Sequence, residues 1–202
     1  MQDVLDGYAA AATPAFIEGY DTLSTERIYQ LVIDLFPQRA ARVADIGAGT
    51  GRDAAWFAER GNDVVAVEPV RQLREAGQFR HPSSRIEWLD DQLPHLDQLR
   101  SKGPFDLVTL CAVWQHLPDS DRELAFPNLA SILTENGRLV MSLRHGPGGA
   151  GRRVFPVNAE ATVKLAEELG LRVIRQSQAP SVQPGNRALG VSWTWLVFEK
   201  AR

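Results

Sequence analysis

Between Val43 and Gly61 the chain reads VADIGAGTGRDAAWFAERG, an apolar run, three glycines within five positions, and a run of helix formers stopped by another glycine. Glycine loses more backbone entropy on folding than any other residue. Its use at Gly47, Gly49 and Gly51 therefore implies positive φ angles or a ligand brought against the main chain. Strand, glycine turn and helix in that order open a parallel sheet, because parallel neighbours need a crossover connection.

The alternation continues along the chain. Apolar runs at 62–69, 85–91, 105–113 and 137–146 predict strands, and the stretches 71–79, 121–133 and 158–170 predict the helices among them. Asn158 stands as a helix cap and Gly170 as a stop, while Pro127 is expected to kink its helix or reset the start. Another helix is predicted from Ser24 to Phe36, where Ile28, Leu31, Val32 and Leu35 recur at helical spacing before Pro37. The segments 171–178 and 191–200 read as two more strands, giving a seven-stranded α/β sheet, doubly wound, with helices on both faces. In such a sheet the ligand site lies at the carboxyl ends of the strands. Those ends carry Asp45 to Gly47, Glu68–Pro69, Asp90–Asp91, Cys111 to Val113 and Arg144–His145. The glycine- and proline-bearing stretches 145–156 and 179–190 are expected to be surface loops.

Composition narrows the partners. A length of 202 residues suits one domain, 1–202, and a net charge of -3 offers no general basic field for nucleic acid. The amino terminus lacks the pattern of a secretory leader, and no run approaches the roughly 18 to 20 apolar residues of a membrane span. A cytoplasmic location is the expectation. Cys111 is the single cysteine, so neither a disulfide nor a cysteine metal motif is expected.

The glycine turn excludes some ligands. A phosphate-binding Walker loop needs Lys and Ser or Thr after the last glycine, but Arg52 and Asp53 follow Gly51. A dinucleotide turn wants glycine where Arg52 stands. Glu68, ending the second strand, suits the two hydroxyls of a ribose in either a nicotinamide or an adenosyl ligand. Asp45 separates them, since a carboxylate in the turn repels a pyrophosphate and attracts an ammonium group.

Asp45-Ile46-Gly47-Ala48-Gly49-Thr50-Gly51 resembles the first motif of class I S-adenosylmethionine-dependent methyltransferases, D/E-x-G-x-G-x-G. The likeness extends through Glu68, Asp90-Asp91-Gln92-Leu93-Pro94, Phe105-Asp106-Leu107-Val108, Val113-Trp114-Gln115-His116-Leu117 and Asn136-Gly137-Arg138-Leu139-Val140. The chain is similar to the small stand-alone, type 11/12-like members, whose sheet has seven strands with the last antiparallel.

The resemblance implies S-adenosyl-L-methionine as cofactor. Asp45 with the backbone at Gly47, Ala48, Gly49 and Gly51 would hold the methionine part and Glu68 the ribose. Asp90 or Asp91 would meet the adenine amino group, Val70 after Pro69 the adenine ring, and Cys111 would form a pocket wall. Residues 1–36 would be a helical lid over a 40–202 core, with Tyr20 its main contact and Tyr8 nearby. His116 and His145 are the base candidates, Trp114 is a pocket wall, and Arg144, Arg152 and Arg153 are a cationic clamp for an acidic acceptor. A small-molecule methyl acceptor is the leading expectation. Methylation of RNA or protein through the loop Gly146 to Arg153, or a noncatalytic cofactor-binding subunit, are the alternatives.

Overall fold

The computed structural model describes residues 1–201. The helices are α1 (Gln2–Ala11), α2 (Pro14–Asp21), α3 (Thr25–Ile28), α4 (Arg52–Glu59), α5 (Arg71–Arg80), α6 (Asp119–Ser131), α7 (Ala159–Glu167) and α8 (Pro184–Ala188). The strands are β1 (Arg42–Ile46), β2 (Asp63–Val67), β3 (Ile86–Leu89), β4 (Phe105–Leu110), β5 (Leu133–His145), β6 (Leu171–Pro180) and β7 (Ser192–Lys200). They form one sheet in the order β3-β2-β1-β4-β5-β7-β6, with β7 antiparallel to both of its neighbours. The expected seven-stranded, doubly wound sheet with an antiparallel last strand is therefore the observed one.

The strands are apolar because both faces are covered. In β1 every residue after Arg42 is buried, and β4 behaves alike beside it. On one face α6 and α7 close a core built around Phe105, Trp114, Phe126 and Phe198. On the other, Phe57 and Ala58 of α4 pack with Tyr29, Phe36 and Trp195. From β1 the chain moves to β2 on one side, and β4 lies on the other. The crevice between the carboxyl ends of β1 and β4 is thus the switch point of the sheet, where ligands bind in open α/β folds.

The helix predicted from Ser24 ends after one turn. Tyr29 leaves helical geometry, and Tyr29, Val32 and Phe36 then drop into the core. The carbonyls of Leu31 and Leu35 accept bonds from Arg175 and Arg138 instead of from helical amides. The β-branched Ile28, Val32 and Ile33 add little to resist that break. Pro127 does not divide α6, which runs unbroken through it. Asn158 does cap α7, accepting from the Ala161 amide at 3.0 Å.

Both stretches expected to be surface loops are largely exposed and lie at the strand ends. The 145–156 segment is tied by Phe155 N–H donating to the Gln115 carbonyl at 2.7 Å, and 179–190 contains the short helix α8. Helices α1 and α2 lie above them. Gly7 of α1 comes so close to Gly151 that a Cβ would stand 1.9 Å from its carbonyl oxygen.

Candidate active site

Two cavities meet at the switch point. The smaller, about 130 Å3, lies between Gly49, Glu68, Pro69 and Val70 below and Val4 and Leu5 of α1 above. The larger, about 500 Å3, is bounded by Asp45, Ala48, Arg52, Gln115, Arg144 and Arg152 among others. Tyr8, Tyr20, Gly47, Cys111, Ala112 and His116 line both. A ligand spanning the two would pass directly over the glycine turn.

The turn is built for close approach. Gly47 and Gly49 have φ of 73° and 58°, the left-handed region that glycine enters without strain. A Cβ on Gly47 would lie 2.4 Å from Val113 Cγ2 across the crevice, and one on Gly49 would lie 3.3 Å from the Tyr20 ring. Gly51, at φ 80°, faces Trp88 and serves the entry to α4 instead of lining either cavity.

Asp45 is buried at the larger cavity. Its Oδ1 accepts from the Thr109 hydroxyl at 2.8 Å, and its Oδ2 has no partner. Burial, reinforced by the Asp53 carboxylate, pushes its pKa up to about 7. Glu68 is also buried, with Oε2 accepting from Gly49 N–H at 2.7 Å and Oε1 from Val70 N–H at 2.8 Å. Burial outweighs those two bonds and lifts it to about 7 as well. Each of its oxygens keeps acceptor capacity toward the smaller cavity. Arg52, a cation at the amino terminus of α4, is paired with Asp53. Its Nε and Nη2 both donate to Asp53 at 2.8 Å, and Thr25 and Tyr29 complete that carboxylate. Asp53 is thereby spent on structure, whereas Asp45 is not.

His116 sits at the junction of the cavities. Its Nδ1 lies 2.6 Å from the Arg153 carbonyl and its Nε2 lies 3.0 Å from the Tyr8 hydroxyl. A carbonyl only accepts, so Nδ1 carries the proton and Nε2 receives the Tyr8 hydroxyl. Burial lowers the pKa of His116 and raises that of Tyr8, keeping both neutral near pH 7.

Other expected site residues lie elsewhere. His145 points away from the cavities and meets Thr194 at 2.8 Å, because strand alternation sends it opposite to Arg144. Trp114 is 1% exposed, packed edge-on against Phe126 in the core, and lines neither cavity. Asp90 is on the surface, paired with Arg74 at 2.8 Å. Asp91 does reach the smaller cavity, but its oxygens accept from the amides of Gln92, Gln98 and Leu99 and so fasten the loop. Cys111 forms a shared wall, and burial pushes its thiol up to about 12, so no thiolate nucleophile stands there. Arg153 is exposed, while Arg144 and Arg152 do line the larger cavity. Sequence reasoning missed Gln115, Phe16 and the 179–186 wall of that cavity. The motif around Val113 to Leu117 was the signal that pointed toward Gln115.

A methyltransferase-domain family profile matches residues 43–137, the segment that carries the glycine turn and Glu68. That segment belongs to the methyltransferase-domain family. An uncharacterized methyltransferase of Mycobacterium tuberculosis is 35% identical over 106 residues, 52% of this chain and 40% of the relative. Human glycine N-methyltransferase is 30% identical over 162 residues, covering 69% of this chain and 53% of that one. The chain spans about half the length of these curated relatives. Among solved structures, a TehB-like SAM-dependent methyltransferase from Corynebacterium glutamicum has a TM-score of 0.68 and 25% identity, covering 93% of this chain and 100% of that chain. A Burkholderia thailandensis 1,6-didemethyltoxoflavin-N1-methyltransferase, with that compound and S-adenosylhomocysteine bound, shares the fold at TM-score 0.67 and 19% identity, covering 100% of this chain and 85% of its own. The family's methyl donor is S-adenosylmethionine.

Proposed function

We propose that this chain is an S-adenosylmethionine-dependent methyltransferase acting on a small molecule held in the larger cavity. One observation carries the reading: the buried, unpartnered Oδ2 of Asp45 beside a glycine turn that leaves the backbone open. A carboxylate there suits an amino acid's ammonium group and opposes a phosphate. Asp45 with the backbone of Gly47 to Gly49 holds the methionine end, Glu68 takes the ribose hydroxyls, and Pro69 and Val70 flank the adenine. Residues 1–36 serve as the cover and 40–202 as the core of one domain.

When bound, S-adenosylmethionine supplies an electrophilic methyl group on sulfonium sulfur. The chain's own part is alignment, exclusion of water under α1 and α2, and acceptance of a proton where the acceptor must lose one. Tyr8 and His116 make a pair for the last task. The Tyr8 hydroxyl takes the acceptor's proton as it passes its own to Nε2 of His116, and the Arg153 carbonyl supports the resulting imidazolium at Nδ1–H.

The size of the larger cavity, about 500 Å3, suits a small acceptor. Incubation with methyl-labelled S-adenosylmethionine and separated metabolite, RNA and protein fractions tests this. Label is expected in the metabolite fraction. Label confined to macromolecules, or absent from every fraction while cofactor binds, contradicts it.

A further inference from the structure

Three cations line the larger cavity, and only one is neutralised. Arg52 is paired bidentately with Asp53, whereas neither Arg144 nor Arg152 pairs with a carboxylate among the described residues. Arg144 is held by neutral acceptors, Nε and Nη2 donating to the Pro147 carbonyl at 3.0 and 2.6 Å and Nη2 to Asn186 Oδ1 at 3.1 Å. Its guanidinium lies 5.3 Å from the Trp193 ring centre. Arg152 lies 5.3 Å from the Tyr8 ring centre and 5.1 Å from that of Phe16, and its Nε is buried without a partner. Aromatic faces thus hold both guanidiniums against the cavity with donor capacity unused. Two like charges sharing one cavity repel each other until an anion enters.

A second unpartnered group faces the same space. Gln115 is 2% exposed, and its Nε2 donates to the Ala112 carbonyl at 2.6 Å. That carbonyl can only accept, which fixes the amide orientation and leaves Oε1, buried and unbonded, at the cavity. A buried acceptor without a donor is a costly arrangement that a bound N–H or O–H relieves. Gln115, His116 and Tyr8 all line this one cavity, so a single bound molecule can meet the acceptor and the proton-accepting pair.

We propose that the methyl acceptor carries an oxyanion, carboxylate or phosphate, held by Arg144 and Arg152, together with an N–H or O–H donor received by Gln115 Oε1. The proposal rests on the methyltransferase reading and names the substrate class for its larger cavity. Phe16 and Trp193 give that cavity aromatic walls, so ring-bearing probes are appropriate.

The test is calorimetric titration of protein loaded with S-adenosylhomocysteine. The probes are 2-aminobenzoate, phenyl phosphate and the neutral 2-aminobenzyl alcohol. At least one of the two anions is expected to bind about tenfold or more tightly than the neutral probe, with a preference that weakens in salt. The favoured anion distinguishes carboxylate from phosphate. Arg152→Gln should erase the preference while retaining S-adenosylhomocysteine binding, and Gln115→Leu should weaken 2-aminobenzoate while leaving phenyl phosphate, which has no ring amino group, unchanged. Equal binding of the neutral probe, absence of binding by both anions, or an anion preference that survives Arg152→Gln overturns the proposal. Failure of S-adenosylhomocysteine to bind wild type is a different result, and it overturns the methyltransferase reading instead.

Discussion

The Tyr8 hydroxyl, on the first helix, lies 3.0 Å from Nε2 of His116 at the end of the fourth strand's loop, 108 residues away. The contact joins α1 to the loop after β4 and sits where the two cavities meet. If the pair acts as one proton acceptor, Tyr8→Phe and His116→Ala each lower kcat by about 10²-fold or more, and the double variant is no worse than either. Affinity for S-adenosylhomocysteine stays within about threefold of wild type in all three, since neither group holds the donor. Normal turnover in either single variant refutes the role.

The same pair sets a pH profile. Burial lowers His116 from its ordinary 6.5, and the proton-accepting form is the neutral one present above that pKa. Turnover should therefore fall only on the acid side of 6.5 and stay level from neutrality to about pH 8. A limb centred above neutrality in a rate profile contradicts this assignment.

Asp45 and Glu68 link cofactor binding to protons. Burial raises both to about 7, so between their unfolded values near 4 and pH 7 the folded protein holds protons that the unfolded chain has lost. The stability they lend is full below the unfolded pKa values and is lost as pH rises toward 7. An ammonium on Asp45 favours the ionised carboxylate, so binding at pH 6 releases protons and binding at pH 8.5 releases few. Calorimetry in buffers of different ionisation enthalpy measures this, and Asp45→Asn should reduce the release at about pH 6. Equal release in that variant assigns the protons elsewhere.

Gly47 and Gly49 should respond unequally to alanine. Both have left-handed φ, which costs alanine about 1–2 kcal/mol. At Gly47 the new methyl also strikes Val113, whereas at Gly49 it only crowds the Tyr20 ring. Gly47→Ala is expected to lose more thermal stability and more S-adenosylhomocysteine affinity than Gly49→Ala, by melting and titration. The reverse order contradicts the crevice geometry.

Trp114 belongs to the core, not the acceptor cavity. Trp114→Ala should cost about 3–5 kcal/mol of stability by denaturant unfolding, as deletion of a buried aromatic does. Trp114→Phe should leave the acceptor KM unchanged, and a selective rise in KM would return Trp114 to the site.

The contrast between Trp114 and Asp45 shows what the sequence alone could tell. Asp45 lies near the end of β1 and Gly47 and Glu68 follow β1 and β2, strands whose apolar runs fix their ends, so their placement at the switch point was readable from period and punctuation. Trp114 and Gln115 lie in a tight 3-10 turn, where one step around the turn separates core from cavity. Arg144 and His145 differ only in strand parity, which the register of β5 against β7 decides. The break after Ile28 depends on Arg138 and Arg175, more than a hundred residues distant, which take the carbonyls a helix would have used. The cavity walls at Phe16 and 179–186 likewise come from segments that meet only in the folded chain.

The most direct test of the account is calorimetric titration of the wild-type chain with S-adenosylhomocysteine, S-adenosylmethionine and NAD, repeated on Asp45→Asn. The account predicts binding of both adenosyl ligands, none of NAD, and a loss of about tenfold or more for both in the variant, the scale of one charge-assisted hydrogen bond. A wild type that ignores both adenosyl ligands, or that takes NAD in their place, contradicts it.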